Sequence, residues 1–295
     1  MEKRMNFALY PGCTVESEQY AHEMSAREVF PKLGIQLIDV EGFNCCGYPL
    51  KSVSLPAWSY LSARNLALAE KLGLDVLPLC NGCNLSFREV SHYLEENPDL
   101  KEHVRNLLSS EGLPFTGNAK SWHILQVLHE VVGVEKIRSV VSRPLKGLKL
   151  ATHYGCHALR PGDMEILDDS ENPRYLEELI AALGAEVEDY PERLDCCGQG
   201  LAITTGKTAL TISGAKLKAI QDRGFDAVIT VCPFCMKMLD SKQNAIKVTT
   251  QTDVNLPVLY YTQLLGLAMG ISAEKLGLNL NLSPVGEILK KLEGN

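Results

Sequence analysis

Short apolar runs recur at matching places in the two halves of the chain. The segments "MNFALY" (5–10) and "LKLATHY" (148–154) stop just before a cysteine, and "DVLPLC" (75–80) and "AVITVC" (227–232) run into a C-x-x-C motif. Brief apolar runs of this kind, rich in aliphatic residues, are typical of buried strands. The pattern therefore predicts a pair of strands in each half.

Longer segments between these strands carry apolar residues at helical spacing. They are "LPAWSYLSARNLALAEKLGL" (55–74) and "KTALTISGAKLKAIQDRGF" (207–225). The order strand, helix, strand in both halves favours α/β units with parallel strands. The apolar stretch "VLYYTQLLGLAMG" (258–270) is interrupted by Thr262 and Gln263. It therefore predicts a buried helix and not a membrane span.

The ten cysteines repeat one spacing twice. The first set reads C-x31-CC-x33-C-x2-C and the second reads C-x39-CC-x34-C-x2-C. The first set is Cys13, Cys45, Cys46, Cys80 and Cys83, and the second set is Cys156, Cys196, Cys197, Cys232 and Cys235. Words around them also agree, such as "FNCCGYPL" and "LDCCGQGL". An internal duplication explains both, and predicts domains 1–145 and 146–295 that meet in a segment containing Pro144 and Gly147.

Composition limits the classes of function. The chain has 295 residues and a net charge of −7, which argues against a nucleic-acid surface because such a surface needs a basic patch. The first residues contain neither an apolar core nor a cleavage site typical of a secretory signal, so we expect a cytoplasmic protein. Thiols stay reduced in that compartment. We therefore expect the cysteines to bind metal rather than form disulfides.

Five cysteines with an adjacent pair suit a metal cluster better than a single ion. Structural zinc takes four tetrahedral ligands, and five thiolates carry more charge than one divalent ion offsets. A polynuclear iron–sulfur cluster spreads its irons over several ångströms, so neighbouring cysteines reach different irons. The ferredoxin run C-x2-C-x2-C is absent, which predicts an unusual cluster. A thioredoxin-like dithiol would explain one C-x-x-C motif, but not its duplication beside a cysteine pair.

The double cysteine pattern resembles the cysteine-rich CCG domain family, in particular its heterodisulfide reductase B subunits, along essentially the whole chain. The resemblance implies two α/β CCG domains related by pseudo-twofold symmetry, each with a small, mostly parallel sheet flanked by helices. It also implies two noncubane [4Fe-4S] clusters, each held by one five-cysteine set. The clusters would face a shared site where the mixed disulfide of coenzyme M and coenzyme B is reduced to two thiols, a step in methanogenesis. Each cluster would deliver one electron.

The same resemblance implies partners. Electrons would come from a ferredoxin-like C subunit and a flavin-containing A subunit, in a larger complex that can include hydrogenase or formate dehydrogenase. No G-x-G-x-x-G motif follows a strand here, so we expect no flavin or NAD in this chain.

Further site residues are predicted from their positions near the cysteines. The candidate proton donors are His153 and His157, which bracket Cys156. The candidate contacts to an anionic substrate are Lys51, Arg160 and Lys207. The glycines that follow the two cysteine pairs are Gly47 and Gly198, which would let backbone approach a bulky cluster.

Three other interpretations stay open at this point. Related CCG units serve glycolate, lactate or fumarate oxidoreductases, and a related reductase would act on another disulfide. A third interpretation is a zinc-stabilised interaction module without enzymatic activity.

Overall fold

Two parallel β-sheets lie at the centre of the structure, a computed structural model that describes residues 5–161 and 167–293. The strands are β1 (Met5–Tyr10), β2 (Ile35–Ile38), β3 (Asp75–Pro78), β4 (Lys149–His153), β5 (Glu186–Val187), β6 (Ala227–Thr230) and β7 (Val258–Tyr260). The first sheet has the order β2-β1-β3 and the second has the order β5-β4-β6-β7. Every pairing within them is parallel. The predicted α/β class with parallel sheets is confirmed.

Helices connect and flank these strands. In the first half they are α1 (Cys13–Glu18), α2 (Tyr20–Val29), α3 (Leu55–Lys71), α4 (Asn81–Glu96), α5 (Pro98–Ser110), α6 (Ile124–Gln126) and α7 (Val134–Ser139), with a π-helical stretch at Val127–Gly133 between the last two. In the second half they are α8 (Cys156–Leu159), α9 (Tyr175–Ala181), α10 (Gly206–Asp222), α11 (Pro233–Leu239), α12 (Gln243–Thr250), α13 (Tyr261–Ala268) and α14 (Gly286–Glu293).

The four predicted strands are present as β1, β3, β4 and β6, and the two predicted amphipathic helices are present as α3 and α10. The prediction of one buried helix over 258–270 is wrong at its start. Val258–Tyr260 forms β7, which pairs with β6, and only Tyr261–Ala268 is helical. Both elements are buried on all sides. An apolar run buried all round has no period that separates strand from helix.

Side chains of the central strands alternate between two apolar clusters. Phe7 of β1 and Leu150 of β4 belong to one cluster, and the next residues, Ala8 and Ala151, belong to the other. This is the two-residue period of a strand that is covered on both faces, as in parallel sheets. Each cluster contains residues from both halves of the chain. The two repeats therefore share their hydrophobic core.

Polar contacts also join the halves. The helix α2 packs against α13, and the hydroxyls of Ser25 and Thr262 lie 2.7 Å apart in this buried interface. The hydroxyl of Tyr260 donates to the side chain of Gln19 at 2.8 Å. Buried polar groups that are partnered across an interface fix its register, because separation leaves both unsatisfied.

Within the described residues, the helices are too short or too polar to cross a membrane.

The shared core predicts one cooperative unfolding transition. Leu150→Ala removes a fully buried side chain from β4 and should lower the free energy of unfolding by about 2–5 kcal/mol. The matched control is Leu282→Ala, because Leu282 is 73% exposed and its loss should change the free energy by less than about 0.5 kcal/mol. Denaturant unfolding followed by circular dichroism measures both. Two separated transitions, or equal effects of the two variants, would contradict a shared core.

Candidate metal centre

The first cysteine of each set lies directly after the central strand of its sheet. Cys13 begins α1 after β1, and Cys156 begins α8 after β4. The glycines before them, Gly12 and Gly155, have φ of 77° and 79°. A Cβ on Gly12 would lie 3.1 Å, and one on Gly155 3.0 Å, from the Sγ atom of the last cysteine in the same set. Glycine therefore lets the two ends of each set approach one another.

The adjacent cysteine pairs lie in loops with matching architecture. Gly47 and Gly198 follow the pairs and are left-handed, with φ of 77° and 87°. In both loops a serine sixteen residues further on, Ser62 or Ser213, donates its hydroxyl proton to the carbonyl oxygen of the second cysteine. These serines fix each pair against the following long helix, α3 or α10. The sequence contains this repeated serine, but only the structure shows what it binds.

The C-x-x-C motifs stand where a strand turns into a helix. Cys80 is the N-cap residue of α4, and Cys83 lies in its first turn. Cys232 and Cys235 occupy the same positions in α11. Backbone N–H groups at a helix start are unpaired and carry partial positive charge. These N–H groups favour the thiolate form in both motifs, but contacts with neighbouring thiols and burial raise the pKa of Cys80, Cys83 and Cys235, and only the pKa of Cys232 is lowered.

All ten cysteines are free thiols, and their contacts join the two sets. Neighbouring thiols lie close enough to shift one another's pKa values, in the order Cys156, Cys196, Cys197, Cys235, Cys232, Cys80, Cys83, Cys46, Cys45. Cys13 lies close enough to Cys45 for its charge to act on that thiol. The contact between Cys80 and Cys232 is the place where the halves meet. We call this series the thiol run.

Burial gives the thiol run an open side and a closed side. Cys13, Cys45 and Cys196 are exposed and Cys156 is half-buried. The remaining cysteines, including both C-x-x-C motifs, are buried. Solvent and small molecules therefore reach the run from the side of the first cysteines and the cysteine pairs.

Crowding of the thiols shifts their pKa values in opposite directions. Hydrogen bonds from Cys45 and Cys83 lower the pKa of Cys46 to about 3, whereas the bond to Cys46 raises the pKa of Cys45. In the second half, hydrogen bonds from Cys156 and Cys197 lower the pKa of Cys196 to about 2. In each set the ionised form is therefore favoured at one cysteine of the adjacent pair. A converging group of thiols with localised negative charge is suited to bind cations.

The donor set fits a polynuclear, sulfur-ligated centre in each half. Five free thiols of one set converge, whereas a single tetrahedral ion would leave one of them without a role. The second half also brings a histidine to its thiols. One ring nitrogen of His153 and the Sγ atoms of Cys197 and Cys235 all lie within 4.8 Å of one another.

The two predicted proton donors occupy different environments. His153 is fully buried, and its pKa is far below the usual value because of desolvation and then the nearby Lys216 charge. His157 is less buried, and its Nε2 atom lies 3.0 Å from the hydroxyl of Tyr48. Because Tyr48 follows the cysteine pair of the first half, this hydrogen bond crosses between the halves. Burial and the charge of Glu89 raise the pKa of Tyr48.

The three predicted anion contacts also differ. The Nζ atom of Lys51 pairs with Glu89 at 2.6 Å and lies 5.3 Å from the centre of the Trp58 ring. Its charge is therefore already engaged. Arg160 is exposed at the end of α8, and Lys207 is exposed in the first turn of α10. These two present their charges to solvent.

Two polar residues that lie beside the thiols were not predicted from the sequence. The amide of Asn81, inside the first C-x-x-C motif, donates to the carbonyl of Tyr154 at 2.6 Å and also lies 2.9 Å from Nε2 of His123. It therefore ties the first motif to the second half. The other is Lys216, which is almost fully buried. Aligning the halves on their cysteine pairs places it opposite Asn65, and this mismatch is the signal that marks it.

Comparison with known proteins places both sets in one type of domain. A model of the cysteine-rich domain family named CCG matches residues 7–88 and 150–240, and each range contains one complete set. A solved structure of a hypothetical protein from Helicobacter pylori has the same fold, with a TM-score of 0.76 over 96% of this chain and 18% identity. This chain spans about half of that one, 52% of its length.

Two curated relatives match along almost their whole length. The B subunit of the ferredoxin:CoB-CoM heterodisulfide reductase of Methanosarcina mazei is 35% identical over 97% of this chain and 96% of its own. The 8-methylmenaquinol:fumarate reductase membrane anchor subunit of Wolinella succinogenes is 34% identical over 94% of this chain and 96% of its own. Similarity at this level therefore extends to components of two different reductases.

The left-handed glycine after the second cysteine pair predicts a sharp difference between two neighbouring substitutions. Gly198→Ala forces φ of 87° on alanine and places a Cβ 2.6 Å from the carbonyl oxygen of Ala209. We expect a loss of about 1–3 kcal/mol in the free energy of unfolding. Gly200→Ala, the control, places its Cβ in open space and should change it by less than about 0.5 kcal/mol. Denaturant unfolding of the metal-free chain compares them, and equal stability would contradict the loop geometry.

Proposed function

The chain belongs to the cysteine-rich CCG domain family, and from this membership we propose that it is the catalytic subunit of a disulfide reductase that holds two iron–sulfur clusters. The proposed clusters are noncubane [4Fe-4S] clusters, one for each five-cysteine set. The proposed substrate is the mixed disulfide of coenzyme M and coenzyme B. The observation that carries the proposal is the thiol run, in which two complete sets meet at Cys80 and Cys232.

The stoichiometry of the reaction matches two sites. Reduction breaks one S–S bond and consumes two electrons and two protons, so that one disulfide becomes two thiols. When bound, iron–sulfur clusters supply electrons and sulfur-binding iron. Two sets that meet at Cys80 and Cys232 would place two electron sources beside one substrate, whereas a single set would have to be reduced twice.

The chain's own residues would bind the metal, admit the substrate and protonate the product. Thiolates of both sets bind the metal, and left-handed glycines shape the loops that carry them. The open side of the thiol run, at Cys13, Cys45 and Cys196, is the entrance for the substrate. The hydrogen bond between the hydroxyl of Tyr48 and Nε2 of His157 holds a proton between the halves. We propose that this pair, rather than the fully buried His153, protonates a departing thiolate.

We propose that exposed cationic side chains orient the substrate. The mixed disulfide carries anionic groups at both ends. Arg160 lies four residues after the first cysteine of the second set and Lys207 lies ten residues after its cysteine pair, and both side chains are exposed. We propose these two as anion contacts. Lys51 would contribute only after breaking its ion pair with Glu89.

Electrons must reach the chain from a partner protein under this proposal. The relative from Methanosarcina mazei is named as the B subunit of a ferredoxin-dependent reductase. We propose an analogous complex here, in which the immediate donor is a ferredoxin-like C subunit that receives its electrons from a flavin-containing A subunit. Hydrogenase or formate dehydrogenase would be further members of that complex.

A second candidate function is supported by the relative from Wolinella succinogenes. That relative is named as part of a quinol:fumarate reductase and is 34% identical. In this case the same two sets would pass electrons to a partner that reduces another substrate. The metal content would be the same, and only the substrate assay separates the two functions.

Metal analysis tests the cofactor directly. The full chain, purified without oxygen, should contain about eight iron and about eight labile sulfide per chain, and Cys197→Ala should lose about half of each. Ser109→Ala, on the exposed face of α5, is the control and should retain both. A content of about two zinc without sulfide would support the zinc-stabilised module instead and contradict the proposal.

The dye-coupled assay tests the substrate and the proton donor together. Loaded chain should oxidise reduced viologen when the mixed disulfide is added. Loaded chain that does not reduce the mixed disulfide, but passes electrons to fumarate once the partner subunit is supplied, would favour the second candidate function. Tyr48→Phe removes the hydroxyl at Nε2 of His157 and should lower this rate about 100-fold at unchanged iron content. Tyr175→Phe removes a hydroxyl that bonds the distant, exposed Glu130 and should leave the rate unchanged. An unaltered rate in Tyr48→Phe would exclude the proposed donor pair.

A further inference from the structure

The duplicated cysteine sets stand in unequal surroundings. Three residues before its first cysteine, the first half has Tyr10 and the second half has His153. Nineteen residues after its cysteine pair, the first half has Asn65 and the second half has Lys216. All four side chains are buried. The matched positions therefore present an imidazole and an ammonium to the second set, where the first set has a phenol and an amide.

His153 lies beside the thiols of the second set and makes no side-chain hydrogen bond with any residue that the structure describes. One ring nitrogen lies within 4.8 Å of the Sγ atoms of Cys197 and Cys235. Among the residues that the structure describes, neither ring nitrogen has a hydrogen-bond partner. A neutral imidazole carries one N–H donor, and leaving it unpaired inside a protein costs about 1–3 kcal/mol. A sulfur centre held by these cysteines would supply the missing acceptor.

The counterpart of His153 in the first half has no donor to offer. The hydroxyl of Tyr10 donates its single proton to the carbonyl oxygen of Asn44 at 2.6 Å. Desolvation and then the charges of the thiols of the first set raise the pKa of Tyr10, so its ring lies near that set. The first set therefore has a buried ring beside it, but its only O–H is already bonded to the loop.

Lys216 brings a buried positive charge to the second set. Its Nζ donates to the carbonyl oxygens of Glu192, Arg193 and Asp195 at 2.6, 3.0 and 3.0 Å. Three acceptors match the three N–H donors of an ammonium group. Burial lowers the pKa of Lys216 only to about 8, so the group stays mainly protonated at neutral pH.

The counterpart Asn65 makes the same kind of attachment without charge. Its side-chain amide donates to Asn44 and to the carbonyl of Cys45, in the loop that enters the first pair. The two side chains therefore share a structural task, which is to hold the loop before the cysteine pair. They differ in the charge that they bring to it.

Opposing charges do not cancel this difference. The carboxylate that acts on Lys216 is Asp195, which stands opposite Asn44 of the first half. Asp195 is exposed, so water screens its carboxylate, whereas Lys216 is 2% exposed. Helix dipoles do not reverse the balance either, because both C-x-x-C motifs occupy the same first-turn positions and the dipole acts within one turn.

Hydrogen bonds to sulfur and nearby positive charge both favour the reduced form of an iron–sulfur centre, because reduction adds negative charge. Resting on the proposed function, we infer that the second set holds the centre with the higher reduction potential, and that His153 and Lys216 are the positioning residues that raise it. An electron shared between the two centres is therefore held preferentially at the second set.

The test is a redox titration of the loaded full chain, followed by electron paramagnetic resonance. His153→Phe keeps a ring of similar size without nitrogen, and Lys216→Met keeps the chain length without charge. Each variant should lower the higher of the two midpoint potentials. At a fixed applied potential, the ratio of reduced to oxidised centre should then fall at least tenfold, and a tenfold change corresponds to a shift of about 59 mV for one electron. Tyr10→His should raise the lower potential, because it gives the first set the missing donor.

Matched controls separate this effect from general perturbation. Lys218→Met removes a charge two residues from Lys216, on the exposed face of α10 where Lys218 pairs with Asp222. It should leave both potentials unchanged. Lys216→Arg keeps the charge and should restore most of the potential lost in Lys216→Met.

Each outcome has a definite meaning. Unchanged potentials in His153→Phe and Lys216→Met, at full iron and sulfide content, would overturn the inference and leave the proposed function intact. Loss of the lower potential instead of the higher one would also overturn it. If Lys216→Met fails to retain iron, His153→Phe and Tyr10→His decide the question. Wild-type chain without iron and sulfide would end both the inference and the proposed function.

Discussion

The run of ten thiols, in which the two sets meet at Cys80 and Cys232, is the constraint on which the rest of the structure depends. Thiols brought this close repel one another once they ionise, so their positions must be imposed by the backbone. Parallel sheets impose them because neighbouring strands end at the same edge, where the first cysteines follow β1 and β4 and the C-x-x-C motifs follow β3 and β6. Positive-φ glycines then allow approaches that a Cβ would block. The shared apolar clusters keep both sheets in register, and so maintain the contact between Cys80 and Cys232.

The two halves repeat the same cysteine set, but the buried residues around the two sets differ. The cysteines, the glycines and the serines that hold the cysteine pairs are repeated in both halves. The buried residues around them are not, as Lys216 and Asn65 show. Two equal sites would share an electron equally between them. Under the proposed function, unequal sites would hold it preferentially at one of the two.

The sequence was sufficient for the parts of the fold that have a clear local pattern. Apolar runs before cysteines predicted β1 and β4, and helical spacing predicted α3 and α10. Local pattern was insufficient for β7, because a strand buried on all sides resembles the helix that follows it. It was also insufficient for contacts between the halves, such as Asn81 with Tyr154. A lysine is normally exposed, and nothing local in the sequence indicates that three carbonyl groups would enclose Lys216.

The most direct measurement is diffraction at the iron absorption edge from crystals of the loaded full chain. The account predicts two separate groups of iron, each within bonding distance of the five cysteines of one set, on either side of the contact between Cys80 and Cys232. A lone metal ion in each half, bound by four thiols with the fifth left free, would contradict it. So would one group of iron shared by both sets.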